Sequence, residues 1–362
     1  MNSIFDRDKP YDELPYPPGA AFVESRAVLK RAVGAASALS ELRGATTRIP
    51  NPGILINAIA LQEARMSSEI ENIVTTNDAL YRASADIEGE QDAATKEVLR
   101  YREALWNGFV ALKERPLLTT NLLIEIARTI KNRPDFDIRK IPGTRIAGPG
   151  DATLYTPPSG ERIIRGKLAA LERFIHDEQT IEPLVKTAMI HYQFEAIHPF
   201  HDGNGRTGRI LILLFLLQQK LLDIPVLYVS RYIIANKSAY YSLLQGVTER
   251  QAWEPWILYM LDAIESTARS TLERINDIAK EMERFTATLR AERPRIHSQE
   301  LVEAVFMQPY VRIPFLEHAG VAKRQTASRY LKELVACGLL REVRRGREAY
   351  FVNEGLVGIL AR

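Results

Sequence analysis

The chain has 362 residues, 46% hydrophobic and 26% charged, enough apolar material for two or three domains with their own cores. Its net charge of +3 is too small to mark the whole protein as a binder of nucleic acid or membrane, so any such role must rest on a local patch. The single Cys337 excludes internal disulfides and a cysteine-built metal site, and it fits a reducing cytosol. No signal-peptide pattern opens the chain and the run Ile210 to Leu217 is too short to span a bilayer, so the expectation is a cytoplasmic protein without a membrane partner.

Residues 1–19 are polar and carry Pro10, Pro15, Pro17 and Pro18, which predicts an extended arm outside the core. Phe22, Val28, Leu29, Val33, Leu39 and Leu42 mark a helix over Ala20 to Arg43, with an interruption expected near Gly34. Asn51-Pro52 is a helix start, since Asn caps and Pro suits the first turn. That helix turns polar over Gln62 to Asn72, where Ser67 and Glu71, four apart, share one face; alone, this reads as a solvated helix end.

The acidic, glycine-containing stretch Ile87 to Gln91 reads as a loop. Val98, Tyr101, Ala104, Leu105, Phe109 and Leu112 predict a helix ending before Pro116, and Thr119 or Thr120 caps the next, through Leu123, Ile126, Ala127 and Ile130. From Pro134 to Ile163 the turn signals Pro142-Gly143, Gly148-Pro149-Gly150 and Pro157-Pro158-Ser159-Gly160 bracket Thr144 to Ala147 and Ala152 to Thr156. These two stretches suit a β-hairpin, and a plain surface loop is equally compatible. Lys167 to His176 and Pro183 to Ile197 are the next helices.

His198-Pro-Phe-His-Asp-Gly-Asn-Gly-Arg-Thr-Gly-Arg209 follows, wedged between two strongly apolar helices. Gly203, Gly205 and Gly208 let backbone N–H groups turn toward a ligand, and the loop feeds a helix N-terminus that favours anions. Arg206 and Arg209 add forked donors suited to phosphate. Asp202 at the entrance is a candidate Mg²⁺ ligand, and His198, with an ordinary pKa near neutrality, is a candidate proton acceptor for an incoming hydroxyl. Phe200 is expected to anchor the loop in the core. Together these features describe a polyphosphate cradle, with no Walker-type P-loop in the chain.

Beyond the motif, Tyr240 and Tyr241 fall on a further helix, and Trp253, Trp256, Leu258 and Ile264 complete a helical core. Leu272, Ile275, Ile278, Met282, Phe285 and Leu289 then describe a long helix with a narrow seam, ended by Pro294, for packing on the catalytic region or on a second copy. From Arg295 the order is helix, helix, turn, helix, hairpin. Pro314 to Ala319 is a short helix, Gly320-Val321 a turn, and Thr326 to Val335 a second helix with Tyr330, Leu331 and Leu334 inward. Leu339 to Val343 and Glu348 to Val352 form a hairpin through Arg344 to Arg347, so the module reads as a winged helix-turn-helix. Val321 to Arg347 carries eight Lys or Arg against Glu333 and Glu342, which suits DNA phosphates; protein docking or dimer formation suits the same module.

The stretch from His198 to Arg209 resembles the Fic motif, H-x-F-x-[D/E]-G-N-G-R-x-x-R, at every position. The resemblance implies a mostly α, Fic-type helical bundle with a small hairpin flap, and transfer of AMP from Mg·ATP to a Ser, Thr or Tyr hydroxyl of a target protein or of the chain itself. It implies His198 as base and Asp202 as metal ligand. Gly203, Asn204, Gly205, Arg206, Thr207, Gly208 and Arg209 would bind nucleotide, with Tyr240 and Tyr241 beside the adenine.

Ser67, Glu71 and Asn72 resemble the family's inhibitory element [S/T]-x-x-x-E-[G/N]. That likeness implies that Glu71 pairs with Arg209 in place of the γ-phosphate, whereas Glu69 faces elsewhere on the helix. Thr153, Leu154, Tyr155 and Thr156 resemble the flap that holds a target backbone by strand addition. The expected organisation is 1–95 N-terminal helical region, 96–262 catalytic domain, 263–294 linking helix and 295–362 winged helix. The rivals are removal of AMP at the same site, and a DNA-binding regulator that senses nucleotide.

Overall fold

The computed structural model describes residues 5–85, 91–147, 152–345 and 348–362; the expected loop near Ile87 and the turn at Gly148 to Gly150 lie outside them, as do Gly346 and Arg347 of the wing. A single turn, α1 (Ala20–Val23), precedes α2 (Arg26–Ala45), which Ser25 caps by accepting from the Val28 N–H. The break thus falls at Ser25, not Gly34, because Ser25 in extended backbone offers a cap whereas Gly34 merely lacks a side chain. Phe22, Leu29 and Val33 point to solvent, and α2 buries an alanine-rich stripe of Ala32, Ala35 and Ala38 with Val28, Leu39 and Leu42. Small side chains let α2 lie close against a partner helix.

Asn51 Oδ1 accepts from the Gly53 N–H and starts α3 (Pro52–Ile70). Next come α4 (Asn77–Ala85), α5 (Ala93–Glu114) and α6 (Thr120–Lys131), the last capped by Thr119. The hairpin forms with two short strands, β1 (Ile146–Ala147) and β2 (Thr153–Tyr155), antiparallel with Ile146 opposite Tyr155. Helices α7 (Glu161–Asp177), α8 (Pro183–Ile197) and α9 (Asn204–Gln218) follow, and then α10 (Val229–Ala235) and α11 (Lys237–Arg250). α8 and α9 are buried along nearly their whole length and form the centre of the bundle. A helix apolar all round has no other stable place.

α12 (Trp253–Glu292) is one uninterrupted helix of 40 residues, so the expected boundary at residue 262 falls within it. Its first half packs on α2, α8, α10 and α11, and its later seam of Ile275, Ile278, Phe285 and Leu289 receives the C-terminal module. That module comprises α13 (Gln299–Phe306), β3 (Tyr310–Val311), α14 (Ile313–His318), α15 (Arg324–Ala336), β4 (Arg341–Arg345), β5 (Glu348–Val352) and α16 (Glu354–Leu360). Its sheet order is β3-β5-β4, all antiparallel. Inward on α15 are Ala327, Leu331 and Leu334, while Tyr330 is only half-buried.

The proline-rich arm lacks regular structure but is not loose. Leu14 is buried, Tyr11 N–H donates to Thr156 O at 3.0 Å, and Asp12 accepts from Ser159 N at 2.8 Å. Among the described residues no helix is long and apolar enough to cross a membrane.

Candidate active site

A cleft of about 470 Å³ opens where the loop between α8 and α9 meets the end of α3, the hairpin and α11. Glu71, Leu154, Glu195, His198, Asp202, Gly205, Arg209 and Tyr241 all line it. Four stretches distant in sequence therefore converge on one space.

Two left-handed residues shape the loop. His198, at φ +47°, ends α8, and Gly203, at φ +80°, turns the chain into α9. Asn204 closes the loop, accepting from Phe200 N–H and donating to Phe200 O, both at 2.8 Å. Thr207 spends its hydroxyl on Gly203 O at 2.9 Å. The side chains of Asn204 and Thr207 are thus internal ties, and the Thr207 N–H also bonds Gly203 O, at 3.0 Å. Phe200 is buried against Phe136 and Phe194. At Gly205 a Cβ would lie 2.5 Å from Glu71 Oε1 and 2.9 Å from Arg209 Nη1, so only glycine lets these charges meet over the backbone.

Both arginines are buried and paired. Arg209 donates from Nη2 to Glu71 Oε1 and to Ser67 O, and from Nε to Ser67 Oγ, each at 2.8 Å. Arg206 donates to Glu71 Oε2 at 3.1 Å and to Glu97 Oε1 at 2.6 Å, with Asp202 at 3.6 Å. Glu71 therefore bridges both guanidinium groups, where pairing with Arg209 alone was expected. Burial is the largest influence on Arg209 and lowers its pKa, but Glu71 together with Tyr240, Tyr101 and Glu195 outweighs it, so the net shift is upward and the charge is held.

The end of α3 aims that carboxylate. Asn72 is left-handed at φ +64°, its N–H bonds to Glu69 O, and Ile73 N–H reaches back to Ser68 O. This is the glycine-type helix stop, which asparagine tolerates, and it ends α3 beside Glu71. Glu69 turns away to Arg65 at 3.0 Å.

His198 is neutral at ordinary pH: burial, then the positive charge of Arg139, pulls its pKa down to about 4. Asp202 is half-exposed and ionised; burial raises its pKa, but the Lys131 bond at 2.5 Å and the charges of Lys131 and Arg206 carry it below the usual range. A lone ionised carboxylate at the mouth of a phosphate cradle fits the donor set Mg²⁺ takes beside substrate phosphates. Among the described residues no three His, Cys, Asp or Glu gather as an all-protein metal cage.

Tyr240 is a core residue, its hydroxyl bonded to His191 Nε2 at 2.8 Å, whereas Tyr241 is 45% exposed at the mouth. Both rings line the cleft, edge to face with each other at 5.1 Å between centroids. In the flap, Tyr155 donates to Ala196 O at 2.7 Å and Thr156 is held by the arm, through its carbonyl and through its hydroxyl to Arg7 O at 2.6 Å. Of the four flap residues, Leu154 and Tyr155 line the cleft.

Sequence reasoning missed Glu97, Lys131, Arg139 and Glu195. Arg139 is buried and donates to His198 O at 2.8 Å and to Pro158 O, tying the flap base to the catalytic loop. The Glu195 carboxyl has an unpartnered, buried Oε1 4.0 Å from His191 Nδ1, and burial pushes it up to about 7. Only the glutamate within the apolar run Ile190 to Ile197 was a visible signal.

With this geometry in place, three family models match the chain: "Fic/DOC family N-terminal" over 29–110, "Fic/DOC family" over 117–216, and "Protein adenylyltransferase SoFic-like, C-terminal domain" over 282–356. The chain belongs to the Fic/DOC family. It is similar to the probable protein adenylyltransferase aq_aa38 of Aquifex aeolicus, 34% identical over 85 residues, 24% of this chain and 26% of that protein. It is also similar to protein adenylyltransferase fic-1 of Caenorhabditis elegans, 28% identical over 145 residues, 39% of this chain and 28% of that one. The match spans about a quarter of these relatives' length. A Fic family protein from Desulfovibrio desulfuricans G20 shares the fold with a TM-score of 0.60 at 17% identity, covering 93% of this chain and 98% of its own. Fic-1 from C. elegans does so with a TM-score of 0.52 at 21% identity, covering 70% and 73%.

Proposed function

We propose that this chain is a protein adenylyltransferase that moves AMP from Mg·ATP to a Ser, Thr or Tyr hydroxyl of a target protein and of itself, and that Glu71 restrains it. The observation that carries the reading is the Glu71 carboxylate spanning Arg206 and Arg209 at the N-terminus of α9, where phosphate oxygens fit best.

In the forward step the target oxygen bonds to the α-phosphorus, the bond from that phosphorus to the bridging oxygen breaks, and pyrophosphate leaves. His198, neutral by burial, takes the hydroxyl proton. Arg206, Arg209 and the N–H groups at the start of α9 offset charge on the phosphates. Bound Mg²⁺ would add charge neutralisation at those oxygens, held by Asp202. With Glu71 on both arginines, the γ-phosphate has no guanidinium partner, and ATP seats without its α-phosphorus facing the acceptor.

The test is paired labelling with ATP carrying label on the α- or the γ-phosphate. Label from the α-position should stay on protein, label from the γ-position should not, and His198→Ala should cost about 10²–10⁴-fold in rate with nucleotide affinity nearly unchanged. Equal turnover without His198, or loss of label from a pre-modified protein with none gained, contradicts the forward reading.

A further inference from the structure

The C-terminal module carries a surface that the transfer reaction does not use. On α15 the side chains of Arg324, Gln325, Ser328, Arg329 and Lys332 recur at helical spacing on the face opposite the buried Ala327, Leu331 and Leu334. Arg324, Gln325, Arg329 and Lys332 are exposed, and a shallow groove runs along this face. At the flank Glu333 lies 3.8 Å from Arg329 and 3.9 Å from Arg293. The outward face is therefore cationic, with Gln and Ser interleaved.

We propose that α15 is a recognition helix for duplex DNA. It is the second helix of a helix-turn-helix, the one that enters a major groove, and it follows α14 after a left-handed turn at Gly320, φ +72°. Arg and Lys suit guanine edges and phosphates, Gln suits adenine, and Ser bonds either. The β4 residues Arg341 and Arg344 are exposed but already paired, with Glu354 and with Glu342 at 2.7 Å, so the cationic face is that of α15 itself.

The test titrates the full chain against a fluorescent duplex of random sequence. Affinity should fall steeply between about 50 and about 200 mM salt. Arg324→Ala/Arg329→Ala/Lys332→Ala should weaken binding at least about tenfold and flatten the salt slope by about 1 for each phosphate contact removed. No binding at low salt, binding unchanged in the triple variant, or preference for an acidic polypeptide over the duplex overturns the proposal.

A separate observation joins this module to the restraint, and the second inference rests on the inhibitory reading of Glu71. α3 has 19 residues, about 28 Å from end to end, and its two ends touch different parts of the molecule. At one end Glu71 meets the cradle arginines. At the other, Asn51 Nδ2 donates to Glu303 Oε2 on α13 at 3.1 Å, and Met307 packs against Gly53. Tyr310 of β3 adds a bond to Asp78 on α4 at 2.6 Å and a ring contact with Tyr81, whose hydroxyl receives Gln62 of α3 at 2.7 Å.

We infer that the winged-helix module holds the inhibitory helix in its blocking position. Glu303→Ala/Tyr310→Ala should raise self-labelling toward the level of Glu71→Gly, and should add nothing in a Glu71→Gly background. If Glu71→Gly activates while the interface variant does not, or if the interface variant gains equally without Glu71, the coupling is wrong. If Glu71→Gly itself fails to activate, the inhibitory reading falls and this inference with it.

Discussion

The chain gathers cations in two places, and they differ in what surrounds them. Arg206 and Arg209 are 0% and 2% exposed and are matched to carboxylates brought from α3 and α5. Arg324, Arg329 and Lys332 on α15 stand in solvent. A buried guanidinium without a partner costs several kcal/mol, so the fold must supply Glu71 and Glu97 wherever phosphate is missing. An exposed cation needs no such partner. On the proposed function, ligand binding at the cradle exchanges one anion for another and builds restraint into the site, whereas the proposed DNA binding on α15 would release counterions and be tuned by salt.

The comparison breaks most visibly at Arg206. Arg206→Ala leaves Glu97 and Asp202 beside each other with only Lys131 to offset them, and should cost about 3–5 kcal/mol of stability, read from denaturant unfolding. A loss below about 1 kcal/mol would mean that the buried network relaxes freely.

Glu195 sharpens the same point, since it is the largely buried acid of this site without an ion-pair partner within reach of its Oε1. Its carboxyl moves from an ordinary 4.5 to about 7, chiefly by burial, partly offset by Arg209. The folded state therefore keeps a proton that the unfolded chain has released, and stability falls as pH rises from about 4.5 to about 7. Glu195→Gln should flatten that fall and raise Tm at pH 8 relative to the parent. Parallel Tm profiles for the two proteins would refute the assignment.

The smallest effect belongs to α15. Each of Arg324→Ala, Arg329→Ala and Lys332→Ala should change stability by no more than about 0.5 kcal/mol, because no buried group loses a partner. A larger loss would show that this face is packed against something.

How far the two regions could be read in advance follows the same division. The cradle was legible because His198 to Arg209 compresses its glycines, cations and carboxylate into one stretch, and Ser67 with Glu71 repeats a recognisable spacing. Its supporting charges were not, since Glu97, Lys131 and Arg139 are single charged residues on amphipathic helices or loops, and burial of a lone charge leaves no periodic trace. Tyr240 and Tyr241 are adjacent in sequence and both line the cleft, but only Tyr240 is buried, a difference set by the packing of α11 on α12.

The bundle was readable wherever caps and prolines punctuate it, as at Asn51 and Pro183. It was unreadable where partners are tertiary: the alanine stripe of α2, the docking of the proline-rich arm on Thr156, and the two-residue strand β3. The winged helix was legible from its pattern of helices and hairpin, but the contact between Asn51 and Glu303 was not, because it joins residues far apart in the chain.

The central claim, that Glu71 and the γ-phosphate compete for the same arginines, is tested most directly by the initial rate of AMP transfer from α-labelled ATP. The parent, Glu71→Gly and Glu71→Gly/Arg209→Ala are to be compared at matched nucleotide occupancy. The account predicts a large gain for Glu71→Gly and its loss when Arg209 is also removed. A Glu71→Gly protein no faster than the parent, or one equally activated without Arg209, would contradict it.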